Sequence, residues 1–276
     1  MTIAEIPPGG AVAIPDYMTA GLEDVEASDL VMPRVNIDHK TAEYVNSLSG
    51  ERYASLDCIV LGLIKGYVLW PAKQGDNDVP LCKSLDHKIG RPEEGFPWEA
   101  AGFDQAALPV DPITGGPCAS CADCPLKEWN SHPTEGKPWC SEQYTFVLLL
   151  PDGRGGYGGA ALLTLQRSAI KATKGYITAF QSISSPMFVA VTTLGLTPEK
   201  RGSNQYATPT FVKGVPTDES NWQEWADKYR GIRQFLQTVR PPMDDETAPA
   251  PTAATSTTAE GEKAEDRYVD PEAVPF

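Results

Sequence analysis

Apolar residues in this chain gather in short runs punctuated by Gly, Pro and Asp, the pattern of many short strands. Leu56 to Ile64 is rich in Val, Ile and Leu, Lys65-Gly66 suits a turn, and Tyr67 to Trp70 reads as the returning strand. Gln143 to Leu150 and Ala160 to Leu165 form a second candidate hairpin around the glycine-rich stretch Pro151 to Gly159, and Met187 to Leu194 pairs with Gln205 to Val212 as a third. Two segments switch to the helical period. Ser168 stands where a cap belongs, ahead of Ile170, Thr173, Ile177 and Phe180 on one face; Ser220 with Gln223 fits a capping box ahead of a stripe of Trp222, Trp225, Tyr229, Ile232 and Phe235/Leu236 that stops before Pro241-Pro242. Many strands and two helices predict a mainly β fold, a small barrel or sandwich rather than a bundle.

The ends depart from this pattern. Residues 1–30, with Pro7-Pro8-Gly9-Gly10, read as a flexible acidic arm, and residues 241–276 as a disordered acidic tail whose Ala, Thr, Pro and Ser content offers nothing to bury. Residues 31–240 are then a single domain, with a long insertion at about 72–142. The longest apolar runs are too short to cross a bilayer, and no Lys or Arg in the first thirty residues could begin a signal peptide. The expected location is therefore the cytoplasm.

A net charge of -14 argues at first against a polyanionic partner. The distribution changes this reading. Residues 1–30 hold six acids and no base, and residues 241–276 nine acids and two bases, so the middle is close to neutral and has room for a local basic groove.

Four of the six cysteines, Cys118, Cys121, Cys124 and Cys140, fall within 23 residues, with Cys82 upstream and Cys58 among apolar neighbours in a strand. Overlapping CxxC spacings set thiolates on one side of a tight turn, as tetrahedral Zn²⁺ requires. Iron–sulfur, redox, disulfide and plain buried-thiol readings compete with zinc. One CxxC knuckle joined by two distant thiols strains a site less than three ligands from one run, which favours Cys82, Cys121, Cys124 and Cys140 as a closed structural site, with Cys118 as the substitute ligand. Cys58 reads as core. Signals of catalysis are thin: His39, His87 and His132 sit in no nucleophile or metal motif, and no Walker loop, HExxH or GxSxG occurs.

The uncharged linker running into Glu262, Glu265, Asp266, Asp270 and Glu272 and finishing Pro275-Phe276 resembles the C-terminal tip of bacterial single-stranded DNA-binding proteins, although Val269, Pro271, Ala273 and Val274 dilute its acids. That resemblance implies docking of Asp270, Glu272, Pro275 and Phe276 on replication and recombination enzymes. Asp29 to Val35, Cys82-Lys83-Ser84, Cys121 to Leu126 with Trp129, and Gly136 to Cys140 are similar to segments of bacteriophage single-stranded DNA-binding proteins. This second resemblance implies an OB-like barrel with a zinc-bearing loop, and its cysteine order supports Cys82 over Cys118. The expected function is non-catalytic coating and protection of single-stranded DNA; the alternative is a zinc-bearing recombination or repair factor, an annealing protein or nuclease subunit.

Such a binder needs cations for phosphates and exposed aromatic rings for bases. Arg167, Lys171 and Lys174 form a helical stripe that serves equally as a solvated face. Tyr67 and Trp70 lie beside Lys65 and Lys73, where stacking and core packing compete. Tyr157 next to Arg154, and Tyr206 among Lys200, Arg201 and Lys213, complete the candidate contacts.

Overall fold

The computed structural model describes residues 32–72, 79–93, 95–99, 101–111, 115–201 and 204–238. The arm at 1–30, the tail at 241–276 and Lys73 lie outside the described residues. A small antiparallel sheet comes first: β1 (Val35–Asp38), β2 (Glu43–Asn46) and β3 (Arg52–Tyr53). The main strand, β4 (Ser55–Leu69), runs fifteen residues without turning. The expected turn at Lys65-Gly66 is absent, because Gly66 is a ladder position opposite Gln143 whose missing side chain admits a neighbouring backbone. A Cβ there would lie 2.1 Å from the Ser84 carbonyl oxygen.

Three short strands follow, β5 (Cys82–Ser84), β6 (Ile89–Pro92) and β7 (Ala119–Ser120), then the long hairpin β8 (Cys140–Pro151) and β9 (Tyr157–Gln166). Helix α1 (Ala169–Gln181) leads to a second hairpin, β10 (Ala190–Arg201) and β11 (Asn204–Pro216), and helix α2 (Trp222–Thr238) ends the described chain. The fold is mainly β with open sheets. The larger sheet has eight strands in the order β11-β10-β4-β5-β6-β7, with β8 on the opposite edge of β4 and β9 beyond it. β10 takes the Ser55–Ile59 end of β4 and β5 takes the Tyr67–Leu69 end. β9 and β11 do not pair; Pro33-Arg34 lies along β9, and α1 packs on both strands.

The central strands read as unbroken apolar runs because both their faces are buried. Phe146, Leu148 and Leu150 of β8 face one core with Cys58, Val60, Leu163, Tyr176 and Phe180, while Val147 and Leu149 face a second core closed by α2. Cys58 is fully buried, as its strand position predicts, and its thiol donates to the Thr192 carbonyl at 3.5 Å. Two helix details differ from expectation. The buried face of α1 is Ala169, Thr173, Tyr176 and Phe180 rather than the Ile170/Ile177 set, since Tyr176 hydrogen-bonds Thr192 at 2.7 Å and so enters the core; Ser168 makes no capping bond. Asp218, not Ser220, caps the turn that opens α2, accepting from the Ser220 N–H. Trp225 and Leu236 are buried, the rest of the stripe packs around them, and Tyr229 donates to the Leu63 carbonyl at 2.6 Å.

Candidate functional site

The segment between β4 and β8 leaves from Leu69 and returns at Cys140, residues that face each other across the ladder. It has apolar packing of its own. Phe96, Ala101 and Leu126 are buried with Leu69, and Trp98, Phe103 and Trp139 pack against them. The Trp139 indole donates to the Trp70 carbonyl at 2.8 Å, and the Arg91 Nε donates to nearly buried Asp111 at 2.6 Å.

Beside this small core is a cavity of about 20 Å³, lined by Cys82, Cys121, Cys124 and Cys140 together with Tyr67 and Gly90. That is room for one water or one small ion. Cys118 is elsewhere, its thiol donating to the Pro109 carbonyl at 3.4 Å. A Cβ on Gly90 would lie 3.0 Å from the Cys82 sulfur and 3.5 Å from that of Cys121, so the glycine keeps the space between them clear. Burial pushes all four thiols above their ordinary range, and the neighbouring sulfurs push Cys82 and Cys140 further. The Ser84 hydroxyl at Cys121 and the Leu126 N–H at Cys124 pull the other way. These donors stabilise thiolate. Among the described residues, no group of three or more His, Cys, Asp or Glu side chains meets the geometry of a metal site.

The second feature adjoins the first through Tyr67. Register sets Lys65 opposite Tyr144 and Tyr67 opposite Glu142, so all four project to one face. The Tyr67 ring stacks on His87 with centroids 4.2 Å apart and planes 14° from parallel. His87 reaches this position from a β5–β6 turn in which Asp86 accepts the N–H groups of Lys88 and Ile89, and its own φ is 64°. Helix α1 adds Lys174. Its ammonium is 3.3 Å from Glu142 Oε2, while Lys65 Nζ and His87 Nε2 are each 3.9 Å from Oε1. The Tyr144 hydroxyl donates to Oε1 at 3.1 Å, and the Lys65 and Lys174 ammoniums lie 5.1 and 6.0 Å from the centre of its ring. Burial lowers the affinity of His87 for a proton and raises the Tyr67 and Tyr144 hydroxyl pKa values.

The other candidate contacts distribute unevenly. Lys171 is exposed on α1, and Arg167, at the start of the helix with φ 52°, is within electrostatic reach of Glu135 in the insertion. Trp70 is 5% exposed and has no face for a base. Tyr157 is not a loop-tip ring: it opens β9, is half-buried and packs against the α2 core. Exposed Arg154 sits with it at the Pro151 end of the hairpin, about 24 Å of strand from Tyr144. Lys200 and Tyr206 belong to the part of the β10–β11 hairpin that extends past Ser55, with Tyr206 donating to Glu199 at 2.9 Å; the Arg201 side chain lies outside the described residues. Lys213 covers the Phe180 ring at 5.4 Å. The structure thus gathers Lys65, Tyr67 and Lys174 and leaves the rest apart. His87, Glu142 and Tyr144 are members that sequence reasoning missed; reading Lys65-Gly66 as a turn hid the alternation that puts Lys65 and Tyr67 on one face opposite Tyr144 and Glu142, and nothing in the sequence marks His87. Comparison with known protein families, curated proteins and solved structures finds no match for this chain.

Proposed function

We propose that this chain binds single-stranded DNA without acting on it chemically, through Lys65, Tyr67, His87 and Lys174, which sit over the buried Tyr144 ring. The observation that carries this reading is the combination of two amines with a half-exposed stacked ring pair on one strand face, because phosphates need cations and unpaired bases need flat apolar surface. The strand connectivity supports an OB-like reading. β4, β8 and β9 form a meander, α1 follows, and β10 of the last hairpin returns to β4. OB-folds bind oligonucleotides with their second and third strands and the loops after the first and fourth. Taking β4 as the first strand, the loop after it is the cysteine-bearing segment, next to which the cluster lies.

In this reading Zn²⁺ is a structural cofactor held by Cys82, Cys121, Cys124 and Cys140. The shared cavity, the space kept by Gly90 and the two donors to sulfur fit a thiolate-bound cation, whose charge would offset the mutual repulsion of four thiolates. Its part is to fix the segment that brings His87 onto the Tyr67 ring. Recruitment of replication or recombination proteins is assigned to Asp270, Glu272, Pro275 and Phe276, outside the described residues.

A titration with fluorescent oligo-dT at two salt concentrations, with duplex of the same sequence as control, tests the reading. Affinity should fall with salt by a log–log slope of roughly 0.7 per phosphate neutralised, and duplex should bind more weakly. Tyr67→Ala should cost about 1–3 kcal/mol of oligo-dT affinity. Equal binding of duplex, or Lys65→Ala/Lys174→Ala protein that binds as the parent does, overturns the assignment.

A further inference from the structure

Glu142 is out of place in a phosphate-binding cluster. Its carboxylate occupies the point on which Lys65, Lys174, His87 and the Tyr144 hydroxyl converge, and it takes from them the contacts a phosphate would take. The two amines come from different elements, the main strand and α1, and Glu142 is the group that joins them. It also lies deeper: its side chain is 26% exposed, against 49% for Lys65 and 57% for Lys174. An approaching anion therefore meets the amines first and must displace the carboxylate to gain both.

We infer that Glu142 is an internal competitor that makes the cluster reject phosphate unaccompanied by a stacking base. The inference rests on the single-strand reading and adds a source of selectivity to it. A phosphate alone exchanges one anion for another at the amines and gains little. A nucleotide whose base is free adds stacking on the Tyr67–His87 pair, and that addition tips the exchange. Duplex and base-free polyanions lack it, since their charge is available and their flat apolar surface is not. The amines are about half exposed, so their ion pairs contribute little to stability, and Glu142→Gln keeps an acceptor for the buried Tyr144 hydroxyl.

The test compares the full-length protein with Glu142→Gln and Glu142→Ala, using oligo-dT, duplex of the same sequence and inorganic polyphosphate. Both variants should bind polyphosphate and duplex at least tenfold more tightly than the parent and oligo-dT only a few-fold more tightly, with a salt slope steeper by roughly 1.4 on oligo-dT and roughly 1.8 on duplex for two released amines. Adding Lys65→Ala and Lys174→Ala should abolish the gain. If oligo-dT binds the parent but all three ligands bind the variants no better, the competitor role is overturned and the single-strand reading stands. If nothing binds the parent except after Glu142 is replaced, and then polyphosphate and oligo-dT bind alike, the competitor role stands and the single-strand reading falls. Variants that fail to fold assign the carboxylate to stability and overturn the inference.

Discussion

Asp38 illustrates how single side chains set local order away from the binding cluster. The Arg52 guanidinium donates to its carboxylate at 2.5 Å and to Glu43 at 2.8 Å, and the Lys40 and Thr41 N–H groups also point at Asp38. Arg52 first, then these backbone donors, hold the Asp38 pKa down at about 2. A depressed carboxylate stabilises the fold above its ordinary range, near pH 4, and that contribution is lost as pH falls toward 2. An NMR titration should place the Asp38 midpoint near 2, and Arg52→Gln should return it toward 3.8; an unchanged midpoint in the variant would assign the shift to the turn alone. His39, next in the chain, accepts the Ala207 N–H at 3.1 Å through Nδ1 and so ties the β1–β2 hairpin to β11. Burial lowers its pKa. Because the unfolded chain takes up this proton first, stability should fall as pH drops below 6.5, and amide exchange at Ala207 should quicken over the same range.

Elements were legible in the sequence where one physical signal dominated. Short apolar runs flanking a glycine-rich stretch marked the β8–β9 hairpin, a further pair of such runs marked β10–β11, and the 3.6-residue period marked α2. Lys65-Gly66 misled because a glycine inside a strand carries the same letters as a turn, and only the approach of the Ser84 carbonyl tells them apart. The pairing of Cys121 with Cys124 was readable because its spacing is local, whereas Cys82 and Cys140 reach the same cavity because both are ladder partners of Leu69. The Glu142 cluster was not readable, because residues 65, 87, 142 and 174 meet only through register and the docking of α1. Two predictions belong at this scale. Trp225→Ala should destabilise the chain by about 3–5 kcal/mol in denaturant melts, since α2 closes the second core with that ring. Cys124→Ser and Gly90→Val should each lower the zinc content of purified protein and open the 72–142 segment to protease, while Cys118→Ser, whose thiol points away from the cavity, should retain the metal. Full zinc loading in Cys124→Ser would remove that residue from the ligand set.

Across the whole molecule, the described residues include no helix long and apolar enough to cross a membrane, and the two cores share the central strands as a common wall. The cysteine-bearing segment leaves and rejoins that wall at the Leu69–Cys140 end of β4 and β8, lays β5 along the other edge of β4 and sends Leu85 into the second core. Since Leu69 and Cys140 are ladder partners, the chain departs and returns across a single strand-to-strand gap, and apart from the three-residue pairing of β5 with the end of β4 the sheet is continuous without it. The segment is in this sense a cassette. Replacing 71–138 with a short hairpin turn would require little loop-closure entropy, because the paired strands already hold the ends together. It could be grafted onto another antiparallel hairpin of matching register, carrying Cys82, Cys121, Cys124 and His87 with it, provided the receiving strand supplies a cysteine at the Cys140 position.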